Sequence, residues 1–336
     1  ETTGFSRQYD SIYLMGYFYW EGHQPYIEQH LAASTAEEIQ LLELFLEKLG
    51  EFDAVVSFNG DTFDIPFVKE RLRQMRVSGD LSEFHSVDLY KQYRPYASFF
   101  GWENCKLKSI ECFLDLERRD TMTGGELIEV FYEYSRTDDS QLENTLLLHN
   151  YEDILNLPSL LQIDAYIRFL RECPVSEIRL EPGDGENLKL GFLMEEGAPL
   201  KLDTCFCPQK KSVPMRLETD CQKPMIDLTV PFCQDTLRYY LPNYKEYYVL
   251  PSGNLLHKSV DTPPQKKTAT RGECFIPKTG VFLPVPKTAS WQGLHPFQRD
   301  YKEKLYYYEL EELKNWIPRC TGEDRRVFLD QFLPFK

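Results

Sequence analysis

Two hydrophobic periods alternate along the first half of the chain. "SIYLMGYFYW" (11–20) is aromatic-rich with no breaker before Glu21-Gly22, which predicts a strand, and "QPYIEQHLA" (24–32) predicts its hairpin partner. "STAEEIQLLELFLEKLGEF" (34–52) switches to helical spacing: Leu41, Leu42, Phe45 and Leu49 form a stripe, Glu37 and Glu38 fall in the first turn, and Ser34 or Thr35 can cap it. "DAVVSFN" (53–59) is a short continuous apolar run, the pattern of a strand buried on both faces. Helical patterns then run through "TFDIPFVKERLRQM" (62–75), "KLKSIECFLDL" (106–116), "GELIEVFYEYS" (125–135) and a long stretch from Ser140 to Leu170. This order predicts an α/β domain, a mixed β-sheet flanked by helices.

The second half has another texture. Extended segments such as "LKLGFLM", "PLKLDTCF", "MIDLTVPF", "LRYYLPNY" and "KEYYVLPSG" are separated by Pro, Gly and Asp, which predicts a β-rich domain closed by a helix near "DYKEKLYYYELEELKNWI" (300–317). "VDTPPQKKTATRG" (260–272) reads as a polar, mobile loop. Pro174 marks the expected boundary, dividing the chain into a domain over 1–173 and a β-rich accessory domain over 174–336.

Charge sharpens this division. The net charge is −15, and residues 1–174 hold 15 Lys and Arg against 31 Asp and Glu, whereas residues 175–336 hold 23 against 22. An acidic first half argues against general adhesion to phosphate, but not against a carboxylate site that recruits divalent cations. No apolar run approaches the roughly 20 residues that cross a bilayer. Nine scattered cysteines fit a reduced, cytoplasmic setting better than a disulfide framework. Cys205 and Cys207 in "TCFCP" lack the gap of a zinc site, and alternation on a strand points them to opposite faces.

Three acidic stations remain in the first half. Glu1 opens "ETTGF"; Asp64 lies beyond an apolar strand in "SFNGDTFDIPF"; and in "HNYED" His149 and Asp153 stand four apart, one helical turn from each other. Taken singly, Asp64 reads equally as a helix cap, His149 as a partly buried histidine, and Glu152 with Asp153 as a solvated face. Asp88 in "SVDLY" reads as a cap or as a support behind the ligands rather than a ligand, and Asp61 as a turn residue.

Together these stretches resemble the DEDD superfamily of 3'–5' exonucleases, which have an RNase H-like fold. "ETTGF" matches the family's first motif from its glutamate onward. Asn59, Gly60, Phe63 and Asp64 match the second, and His149 with Asp153 the third, at the spacing of the branch that carries tyrosine in the histidine's place. "SVDLYKQYRPY", "KLKSIECFLDL" and "HNYEDILNL" look most like bacterial YprB-type RNase H-like domains, over about residues 1–172.

The resemblance implies stepwise hydrolysis of single-stranded DNA or RNA from a 3' end with two Mg²⁺ or Mn²⁺ ions. Glu1, Asp64 and Asp153 would be metal ligands and His149 the general base. Thr2, Thr3, Gly4, Phe5 and Asn59 would border the terminal nucleotide, Phe5 by stacking on its base. The family's first aspartate, two positions before the glutamate, is not in this sequence, so the chain as written is expected to be a fragment that binds Mn²⁺ weakly and cleaves little. The competing readings are a non-catalytic RNase H-like module that binds nucleic acid or protein, and a structure-selective endonuclease.

Overall fold

Strands β1 (Leu14–Glu21) and β2 (Gln24–Leu31) form the expected hairpin, with Leu14 opposite Leu31 and Glu21 opposite Gln24. These observations come from a computed structural model that describes residues 1–79, 81, 84–207, 214–260, 267–286, 291 and 293–334. Helix α1 (Glu38–Leu49) follows a short 3-10 turn, Thr35–Glu37. Ser34 has the extended backbone of a cap but its side chain makes no capping bond. Glu38 is instead buried, and its carboxylate accepts from the Ile12 N–H at 2.8 Å and from both arms of Arg71. A buried pair of this kind is costly to break, because it leaves one charge uncompensated.

Strand β3 (Ala54–Ser57) precedes α2 (Asp64–Met75) and pairs in parallel with β4 (His85–Asp88). The apolar run predicts burial on both faces, but Val56 is 44% exposed. Among the described residues β4 is its one strand neighbour, and the face carrying Ala54 and Val56 is open. The mixed sheet is thus present as two pieces, one antiparallel and one parallel.

The helical remainder comprises α3 (Leu89–Tyr93), α4 (Ala97–Phe100), α5 (Leu107–Phe113), α6 (Gly124–Thr137), α7 (Ser140–Leu155) and α8 (Leu157–Glu172). The long pattern after Ser140 breaks at Asn156, since Pro158 cannot donate a backbone hydrogen bond to a continuing helix. Helix α6 starts with a capping box between Thr123 and Glu126. Two apolar clusters hold the hairpin. One joins Ile12, Met15 and Ala32 to α1 and α2, and the other joins Tyr13 and Leu14 to α6 and α7. Each large side chain so buried contributes about 1.5–3 kcal/mol.

Internal contacts divide the chain into two units, Glu1–Ser98 with Trp102–Asp164 and Phe99–Gly101 with Ala165–Lys336. The second unit is β-rich, as its composition predicts. Strands β5 (Val175–Pro182), β6 (Asn187–Met194), β7 (Leu202–Phe206), β8 (Met215–Asp220) and β9 (Lys223–Pro231) make a sheet in the order β5-β6-β9-β8-β7. Four further strands are β10 (Cys233–Tyr240), β11 (Tyr247–Val249), β12 (Leu255–His257) and β13 (Lys267–Thr268). They are followed by β14 (Phe275–Pro286), β15 (Phe297–Gln298) and β16 (Leu305–Glu309).

Strands β10, β14, β16 and β15 close a small barrel around Leu237, Phe282, Phe297 and Tyr307, and β12-β11-β13 form a minor sheet. The segment expected to be the closing helix is strand in its middle, because Tyr307 and Tyr308 are core residues of β16. Helix α9 (Leu310–Trp316) begins only after it, and α10 (Gly322–Asp330) follows. Residues 261–266 of the polar stretch expected to be a mobile loop lie outside the described residues, and Lys267 and Thr268 pair with β11. No described helix is long and apolar enough to cross a membrane.

Candidate active site

The first three residues run beside Ser11–Tyr13 and thereby fix Glu1. Thr2 bridges Ile12, the Thr3 N–H donates to Ser11 O at 2.8 Å, and the Tyr13 N–H donates to Glu1 O at 3.0 Å. The threonine hydroxyls serve this segment locally. Thr2 Oγ1 donates to Gly4 O, and Thr3, which is buried, accepts from the Ser11 N–H. A Cβ on Gly4 would lie 2.3 Å from Asp10 Oδ2, so glycine there lets the Ser6–Asp10 turn close, with the Ser6 N–H on the Asp10 carboxylate. Phe5 is 88% exposed, its ring edge-on to Phe63 with centroids 6.0 Å apart.

Asp64 is the first residue of α2. The loop before it is tied to β4, because Asp88 accepts from the N–H groups of Asn59 and Asp61 and also caps α3. Asn59 takes a left-handed backbone (φ 66°) to make that bond. Asp61 is held by Ser86 and Lys91. The Asp64 side chain reaches solvent, yet the protein around its carboxyl pushes its pKa up. The Glu1 and Asp88 carboxylates add to this rise.

His149 and Asp153 come from one face of α7, which lies against the hairpin. A Cβ on Gly16 would fall 2.1 Å from Asn150 Oδ1, so only glycine allows this approach, and Gln29 clamps it by donating to Leu147 O and Asn150 Oδ1. His149 Nε2 is then 3.9 Å from Glu1 Oε1 and 3.7 Å from Asp153 Oδ2. One ligand atom from each of Glu1, His149 and Asp153 lies within 4.8 Å of the others. Asp64 is not in that trio; it reaches the group through its electrostatic coupling to Glu1.

The pattern along the chain did not disclose the other half of the site. Arg118, in "LERRD", has a largely enclosed side chain that ion-pairs with Glu111 at 2.9 Å, Asp153 at 2.5 Å and Asp120 at 3.3 Å. Asp120 pairs with His149 Nδ1 at 2.7 Å and with Lys108 Nζ at 2.8 Å, and accepts from the Met122 N–H. Glu152, read from the sequence as part of a solvated face, is buried. Its carboxylate accepts from the N–H groups of Arg119 and Asp120, since the chain after α5 folds over that side of α7. An Arg-Arg-Asp run between two helices is the one trace of this in the sequence, and it has no period.

Burial alone would raise the Asp120 carboxyl, but Lys108, the Met122 N–H and His149 hold it at about 2. Burial raises Asp153 above its ordinary range; His149 and Arg118 oppose the rise and Glu1 adds to it. Five carboxylates (Glu1, Glu111, Asp120, Glu152, Asp153) face two cations, Lys108 and Arg118. The excess negative charge, with two of those carboxylates and one imidazole converging, is a donor set that fits a divalent cation.

A family model described as RNase_H superfamily (RNase_H_2) matches residues 1–163. No curated protein and no solved structure matches the chain. Members of that superfamily are usually nucleases that use divalent metals, which agrees with the carboxylate and histidine cluster. Residues 1–163 thus form an RNase H-like domain with the attributes of a nucleic-acid hydrolase, and a β-rich region of sheets and a small barrel follows it.

Proposed function

We propose that the RNase H-like domain is a metal-dependent 3'–5' exonuclease acting on single-stranded nucleic acid ends. The observation that carries the reading is the convergence of Glu1, His149 and Asp153 from two segments far apart in sequence. Glu1, Asp64 and Asp153 would hold a pair of Mg²⁺ or Mn²⁺ ions, oxygen donors being suited to both. Bound there, the cations would lower the pKa of water and offset charge on the phosphate. His149 Nε2 would take the proton of the attacking water, its other nitrogen being engaged with Asp120. Exposed Phe5, braced by Phe63 beside the start of α2, would stack on the terminal base. Thr2, Thr3, Gly4 and Asn59 would shape the floor beneath that nucleotide, mainly through backbone.

The test is digestion of a 5'-labelled linear single strand and a circular single strand, with Mn²⁺ or with EDTA, by protein carrying this chain. The reading expects products shortened stepwise from the 3' end, an intact circle, and no cleavage in EDTA. A cut circle would replace it with an endonuclease. Binding of either strand with no cleavage in any metal would replace it with a non-catalytic module.

A further inference from the structure

The nitrogen of His149 that faces away from Glu1 and Asp153 is as well placed as the one that faces them. Its Nδ1 lies 2.7 Å from Asp120 Oδ2, with the two side chains 8% and 3% exposed. Asp120 is ion-paired with Lys108 and Arg118 and accepts a backbone N–H on its other oxygen, an arrangement that keeps it ionised and locks its rotamer. An ionised carboxylate only accepts hydrogen bonds, so the hydrogen of a neutral His149 ring must sit on Nδ1. The lone pair is then on Nε2, the atom 3.9 Å from Glu1 and 3.7 Å from Asp153.

We infer that Asp120 is a positioning residue that sets the tautomer and orientation of His149, so that Nε2 presents a lone pair to the space between Glu1 and Asp153. Arg118 ties the two halves together, since one guanidinium nitrogen reaches both Asp120 and Asp153. A carboxylate behind a histidine serves either a metal ligand or a proton acceptor in this way. The inference rests on the proposed function for what the lone pair does, but not for where it is.

The experiment separates the two. The 336-residue chain, labelled with ¹⁵N-histidine and free of metal, is studied by long-range ¹H–¹⁵N correlation at about pH 8.5, well above the ordinary imidazole pKa of about 6.5. His149→Gln identifies the signal among six histidines. Wild type should show His149 protonated on Nδ1 alone. Asp120→Asn, which offers an amide donor in nearly the same shape, should move the proton to Nε2 in whole or large part, and Asp120→Glu should restore it partly.

In protein carrying this chain, Asp120→Asn should lower kcat at least tenfold with KM little changed. A wild-type ring protonated on Nε2, or on both nitrogens, overturns the inference even if the variant fails to fold. So does a folded Asp120→Asn variant with the tautomer unmoved. A tautomer that shifts as expected in a protein without nuclease activity sustains the positioning role and sinks the nuclease reading instead.

Discussion

At Asp64 and Asp153 the metal-free fold holds carboxylates whose pKa values lie above the ordinary value of 3.8. A raised acid favours the protonated native state. Its contribution to stability is therefore present at low pH and declines as pH rises from the unfolded pKa through the folded one. Asp64→Asn removes that penalty, so the metal-free variant should unfold at the same or a higher denaturant midpoint at pH 7 while cleavage is lost. A lower midpoint, or unchanged cleavage, would refute this.

Asp120 has the opposite sign. Held at about 2, it contributes on the order of 2 kcal/mol above its unfolded value of 3.8, lost as pH falls through 2. The gap in stability between wild type and Asp120→Asn should accordingly be full at pH 7 and nearly closed at about pH 2. A gap independent of pH would show that packing, not charge, is what Asp120 supplies. Arg118→Ala should be harsher, about 3–5 kcal/mol, since it leaves Glu111 and Glu152 buried without their counter-ion.

Elements decide which of these residues meet. Helix α7 brings His149 and Asp153 to the hairpin only because Gly16 has no side chain, with 2.1 Å between its would-be Cβ and Asn150 Oδ1. Gly16→Ala should cost about 1–3 kcal/mol as helix and strand move apart. The same shift should weaken Mn²⁺ binding, measured by calorimetry. Stability lost with metal affinity unchanged would mean that the site relaxes independently of the helix. Much at this scale was legible: the hairpin, α1, α2 and the one-turn spacing of His149 and Asp153 all follow from period. Two things were not. The run 54–57 looks doubly buried but has one described neighbour, and the tyrosines before α9 look helical but belong to β16. Local pattern reports what a segment tolerates, whereas its partners lie elsewhere in the chain.

Across the whole molecule, charge is the property with a functional consequence. With a net charge of −15 concentrated before residue 175, the chain should bind single strands weakly in EDTA even at low salt. Added Mn²⁺ should raise that affinity, read by fluorescence anisotropy of a labelled oligonucleotide. Tight, salt-sensitive binding without metal would instead point to a basic surface as the binding face. The amino-acid sequence by itself determined the hairpin and the main helices of the first half, the β-rich character of the second half, and the three acidic stations. Each of these is written in contiguous residues, by periodicity or by short motifs.

Only the tertiary structure decided that Glu1 meets α7, and that Arg118, Asp120 and Glu152 stand behind the site. Arg118 and Asp153 are 35 positions apart, in a loop and a helix with no shared period. Their pairing exists because the chain after α5 folds over one side of α7 and encloses the Arg118 side chain among carboxylates, and an enclosed charge must find partners.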